Sequence, residues 1–151
     1  MKVHLNILAL VLLAVSATAF ARYGPPEQAT QENASRFQAD APLSREMAAL
    51  RAAFAARLPA IQADRLDAAG YTALGAEVDT RVATIIRECR LPSDADAVLH
   101  GYLGRMLGAA ARMRKADADG TARRDAALEV VTAYNAYGNR FADPAWKALE
   151  R

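Results

Sequence analysis

The sequence predicts an all-α fold, an antiparallel up-down-up-down bundle of four helices that follows a cleaved signal peptide. Three observations lead there. Apolar residues between positions 43 and 141 recur at three- and four-residue steps, the period of a helix with one buried face. Nothing in that stretch sustains the period-two alternation of a half-buried strand, so strands are not expected. The joins between the apolar stripes are short and carry Asp, Gly or Pro, which suits turns between antiparallel neighbours.

Residues 1–21 combine a basic start at Lys2, an apolar run from Leu5 to Val15 and the small-x-small ending Ala19-Phe20-Ala21. The run falls short of the roughly 18–20 apolar residues that span a bilayer, so it reads as an export signal, and no stable membrane span is expected. The mature chain would then begin at Arg22 in a periplasmic or secreted setting. Residues 22–42, with Gly24, Pro25 and Pro26 among many polar residues, read as a flexible polar leader. Residues 43–151 make the bundle. Ser44 opens a first helix with the stripe Leu43, Met47, Leu50, Phe54, Leu58 and Ile61, and Pro59 kinks or ends it. Tyr71, Leu74, Val78, Val82, Ile85 and Cys89 line a second helix that stops at Leu91-Pro92. Ser93 and Asp96 have the spacing of a capping box, and Ala95, Leu99, Tyr102, Met106, Ala110 and Met113 continue a third helix to Asp119-Gly120. Ala127, Val130, Tyr134, Tyr137 and Phe141 form the fourth stripe, after which a tail with Trp146 and Leu149 folds back on the bundle.

Composition narrows the function classes. Of 151 residues, 37 are Ala, so the 53% hydrophobic content reflects small side chains more than bulky ones. The formal charge of +2 is spread over interspersed signs, which leaves no basic face for nucleic acid. Cys89 has no second cysteine to pair with, so stability rests on a packed core. No elbow serine, phosphate-cradling glycine loop or His-Glu-x-x-His stretch occurs, and one histidine survives signal removal, so an enzyme is not expected.

His100-Gly101-Tyr102, the Asp119-Gly120 turn and Asn135-Ala136-Tyr137, together with Met47 early in the first helix, resemble the corresponding parts of the cytochrome b562 family. The likeness covers about 45 residues in the second half of the chain. It implies a four-helix bundle and a periplasmic location. In that family a methionine of the first helix and a histidine directly after the Asn-Ala-Tyr stretch hold haem iron, and Gly138 stands at the second position here. Met47 is thus the one haem-binding candidate that the resemblance carries over, and haem itself is not expected; Gly138→His is the change that would supply the missing imidazole.

The remaining candidate chemistry lies near the second turn. Cys89, Asp96 and His100 combine a soft thiolate with imidazole and carboxylate, a donor set suited to copper or zinc, and matched depth along adjacent helices would bring them together. Gly101, Gly104 and Gly108 recur on the face of the third helix opposite its apolar stripe, extended by Ala97 and Ala111. Close approach of another backbone, from a homodimer or from the docked leader, would account for them. Three functional readings follow: an exported binding module for a transition metal at Cys89 and His100, a haem-binding electron carrier, and an interaction or stress protein that uses the glycine face.

Overall fold

A computed structural model describes residues 36–150 of the chain. Five helices take 71% of it, which agrees with the all-α reading. The elements run β1 (Phe37–Gln38), α1 (Ala41–Ala55), α2 (Leu58–Gln62), α3 (Ala68–Glu88), α4 (Ser93–Arg114), α5 (Gly120–Gly138) and β2 (Phe141–Ala142). The export signal and the leader up to residue 35 lie outside the described residues. None of the described helices is long and apolar enough to cross a membrane.

Aspartates start three of the four long helices. Asp40 caps α1 by accepting the Leu43 N–H at 2.9 Å, Asp67 caps α3 through Gly70 at 2.8 Å, and Asp119 caps α5 through Ala122 at 2.7 Å. A capping carboxylate satisfies one of the orphan N–H groups of a helix start and stabilises it by about 1 kcal/mol. The first helix therefore opens before Ser44, with Pro42 in its first turn, where a missing N–H costs nothing. Pro59 serves in the same way at the start of the separate short helix α2. The expected capping box at Ser93 does not form: Pro92 is the N-cap of α4 and offers no side-chain acceptor, and Ser93 is already helical.

The buried stripes are close to those read from periodicity. Leu43, Met47, Leu50 and Phe54 of α1, Tyr71, Leu74, Val78, Val82 and Ile85 of α3, and Val130, Tyr134 and Tyr137 of α5 are all essentially inaccessible. On α4 the core residue is Leu103, with Tyr102 only half-buried beside it. In sequence order α1 packs on α3, α3 on α4 and α4 on α5. The α3–α4 crossing is close because Gly75 lacks a side chain: a β-carbon there would lie 2.9 Å from the Ala110 carbonyl oxygen and 2.7 Å from Arg114 Cγ.

Strands were not expected, yet Phe37–Gln38 and Phe141–Ala142 pair in parallel, with Phe37 N–H donating to Arg140 O at 2.9 Å. Two residues per strand are too few to leave a period-two pattern. The fourth helix correspondingly ends at Gly138, and Phe141 belongs to β2, where its ring stacks on Tyr137 with centroids 4.9 Å apart. Beyond β2 the tail returns along α5. The Asp143 carboxylate accepts from Tyr137 Oη at 2.9 Å and from Ser44 Oγ at 2.5 Å, which ties α5, α1 and the tail together. The Trp146 indole then covers Gly138, so close that any β-carbon there would fall inside its six-membered ring edge.

Gly138→Ala is therefore expected to lower stability by about 1–3 kcal/mol in urea unfolding, in spite of alanine's better helix propensity, because the indole must move. Adding Trp146→Ala should remove most of that clash penalty, so that in the Trp146→Ala background the glycine-to-alanine change becomes neutral or stabilising.

Candidate functional site

Cys89 is the C-cap of α3, half-buried, with its N–H bonded to Ile85 O at 2.9 Å. Its thiol lies against the Asp40 carboxylate. Burial first, then the charge and hydrogen bond of Asp40 and the charge of Asp96, push the thiol up to about 12. That keeps the sulfur as the neutral thiol at neutral pH. Asp40 moves the other way. Burial opposes its ionisation, but the N–H groups of Arg90 at 2.7 Å and Leu43 at 2.9 Å, with the Cys89 thiol, hold its carboxyl below the ordinary value of 3.8. One carboxylate thus caps α1 and fixes the chain just beyond α3.

His100 stands on α4 with 59% of its side chain exposed. Its Nδ1–H donates to the Asp96 backbone carbonyl at 2.9 Å, and the Asp96 carboxylate lies 3.4 Å away. Among the described residues, no three of His, Cys, Asp and Glu come together in an arrangement able to hold a metal ion, the expected Cys89, Asp96 and His100 set included. Axial depth along the two helices does not register the thiol's own partner, Asp40, in the segment read as leader. No pattern at Asp40 marks that role, since an aspartate before a helix is adequately explained as a cap.

Met47, the haem candidate, is fully buried in the core. The position from which the resemblance draws the second haem ligand is covered by Trp146, so the expectation that Gly138→His supplies an imidazole needs correction: the indole already occupies the space. Asn135 and Tyr137, which carry the resemblance, are both engaged by the tail. Asn135 bonds the main chain of Leu149 and Tyr137 bonds Asp143. Gly101, Gly104 and Gly108 are exposed; among the described residues a β-carbon at Gly101 or Gly104 would meet nothing within 4 Å.

Two buried charged groups were not singled out from sequence. Glu46 of α1, 4% exposed, accepts from Arg45 at 2.8 Å and from Arg81 of α3 at 3.1 Å, and Arg81 also bonds Glu77. Arg123, 7% exposed, donates to the carbonyls of Met113 at 2.7 Å, Ala118 at 3.1 Å and Ala116 at 3.3 Å, so that one guanidinium satisfies the α4 C-terminus and the turn after it. An Arg four residues into a helix carries no such signal by itself. Both groups bond partners within the fold.

Asp40 gives a pH test. Its folded pKa is depressed, so its stabilisation is complete above the ordinary carboxylate range and is lost as pH falls through the folded value. Asp40→Asn should lower stability at pH 7 by about 1–2 kcal/mol and flatten the acid limb of the stability curve below pH 4. Arg123→Met, which leaves three carbonyls without a donor, should cost about 2–3 kcal/mol at every pH in that range. Cys89 should react with iodoacetamide far more slowly at pH 8 than a free thiol, and Asp40→Asn should speed it. The chain matches no protein-family model, no curated protein and no solved structure.

Proposed function

We propose that the chain is an exported protein whose helices form an antiparallel up-down-up-down bundle, and that it works as an interaction module through the small-residue face of α4. What carries the reading is a contrast among the helical glycines. Gly75 and Gly138 face inward, and in each case a close neighbour needs the missing β-carbon. Gly101, Gly104 and Gly108 face outward, and no neighbour among the described residues needs theirs. Three such glycines weaken α4 by about 2–3 kcal/mol, a large fraction of a domain's usual 5–15 kcal/mol. A cost of that size with no return among the described residues is offset by a partner whose backbone approaches the helix closely. Export rests on residues 1–21, and the cytochrome b562 resemblance supports the bundle and the periplasmic setting without haem.

The copper or zinc reading has less support. It requires an ionised Cys89 thiol beside two carboxylates.

The interaction reading is tested by replacing Gly104 or Gly108 with a photo-crosslinking amino acid and irradiating living cells. An adduct of defined mass is expected from these positions and not from Thr72, exposed on α3. Its absence at all of Gly101, Gly104 and Gly108 would refute the reading. Gly104→Ala should stabilise the isolated protein by about 0.5–1 kcal/mol while weakening adduct formation. Intact mass of the exported protein, expected to begin at Arg22, checks the processing.

A further inference from the structure

The C-terminal segment is held in a manner unlike the rest of the fold. Residues 146–150 adopt no regular secondary structure and lie between α1–α2 on one side and α5 on the other. Every hydrogen bond that the helices make to this stretch is addressed to its main chain. Arg51 Nε donates to the Lys147 carbonyl at 3.0 Å, and Tyr134 Oη donates to the same carbonyl at 3.2 Å. The Asn135 amide takes both peptide groups of Leu149, donating to its carbonyl and accepting its N–H at 2.9 Å each. Gln62 donates to the Glu150 carbonyl at 3.4 Å. A set of side chains that bonds only peptide groups is indifferent to sequence, which is how a groove takes hold of an extended polypeptide.

Sequence enters through two anchors. Trp146 lies over Gly138 and stacks on Tyr134 with centroids 6.4 Å apart, and Leu149, three residues on, is 4% exposed. The fit is incomplete at the first. The indole Nε1–H is buried with no acceptor among the described residues, which costs about 1–3 kcal/mol. Between the tail at Ala148, Leu149 and Glu150 and the helix residues Arg51, Ala55 and Leu58 lies an open surface groove of about 290 Å³.

We infer that the cleft between α1 and α5 is a peptide-binding groove held in cis by the chain's own C-terminal segment, and that an extended peptide of a partner protein, with an aromatic residue followed three positions later by an aliphatic one, takes the same place when that segment leaves. This groove is separate from the α4 face, and neither proposal depends on the other. The cis segment competes at the high effective concentration of a tethered ligand, so the intact chain binds such a peptide weakly.

The test uses a fluorescent peptide of residues 143–151 and the full chain carrying Trp146→Ala and Leu149→Ala. Fluorescence anisotropy should show one peptide bound per chain, at least tenfold more tightly than to the unaltered protein. Asn135→Ala in the same background should weaken binding at least tenfold, as should alanine at either peptide anchor. A helical variant that takes up no peptide, or one indifferent to Asn135, overturns the inference. Should the double variant not fold, a protease site placed in the exposed Asn139–Arg140 turn severs the segment from the folded chain. After cleavage, the severed segment is expected to stay bound and to exchange with labelled peptide. Loss of helix on cleavage, a nicked but helical protein that binds nothing, or exchange only as tail-swapped dimers of this chain would each overturn the proposal of a foreign peptide.

Discussion

The missing β-carbon of Gly138 is the constraint on which the last third of the molecule depends. Because α5 is bare at that point, an indole can lie flat on it, and the chain can turn back instead of running on into solvent. The return brings Phe141 under Phe37, places Asp143 between Tyr137 and Ser44, and sets Leu149 against Asn135. Four aromatic residues, Phe37, Tyr137, Phe141 and Trp146, owe their neighbours to this reversal. Helix propensity at one position is given up, at about 1 kcal/mol, for burial of an indole and a leucine, which contributes several times as much.

Charged residues complete what the apolar stripes cannot do. Ala-rich helices present little bulk, and small side chains alone leave neighbouring helices free to slide. The Glu46 carboxylate between Arg45 and Arg81 fixes the rotation of α1 against α3, while Arg114 bonds Asp79 at 2.7 Å above the Gly75 crossing. Isolated surface pairs of this kind contribute at most about 1 kcal/mol each, but Glu46 is buried and doubly bonded, and burying its charge without both arginines would be costly.

The helices were legible in the sequence because a 3.6-residue period repeated over fifteen to twenty residues is a strong signal, and Tyr71 to Ile85 or Val130 to Tyr137 sit where that period puts them. Asp67 and Asp119 cap helices, though the Asp119-Gly120 pair was read only as the exit of the third helix. What could not be read was decided by contacts remote in sequence. Asp40 meets Cys89 and Arg90 across 50 residues, and Phe37 meets Phe141 across more than 100, with only two residues per strand to show for it. The same holds for the expected metal group: depth along two helices was computable, but the rotation of His100 onto its own backbone and the claim of Asp40 on the thiol were not. Gly138 was recognised as unusual from its helical context, and the reason for it, Trp146, lay eight residues away in a segment with no period.

Asp40 and Arg123 hold the turns on either side of α4 by chemically different means. The turn after α3 hangs on a carboxylate, while the carbonyls at the end of α4 are gathered by a guanidinium that stays charged at any pH a protein meets. As protons are added, the tie between the start of α1 and the turn after α3 weakens, whereas the carbonyls that Arg123 gathers keep their donor.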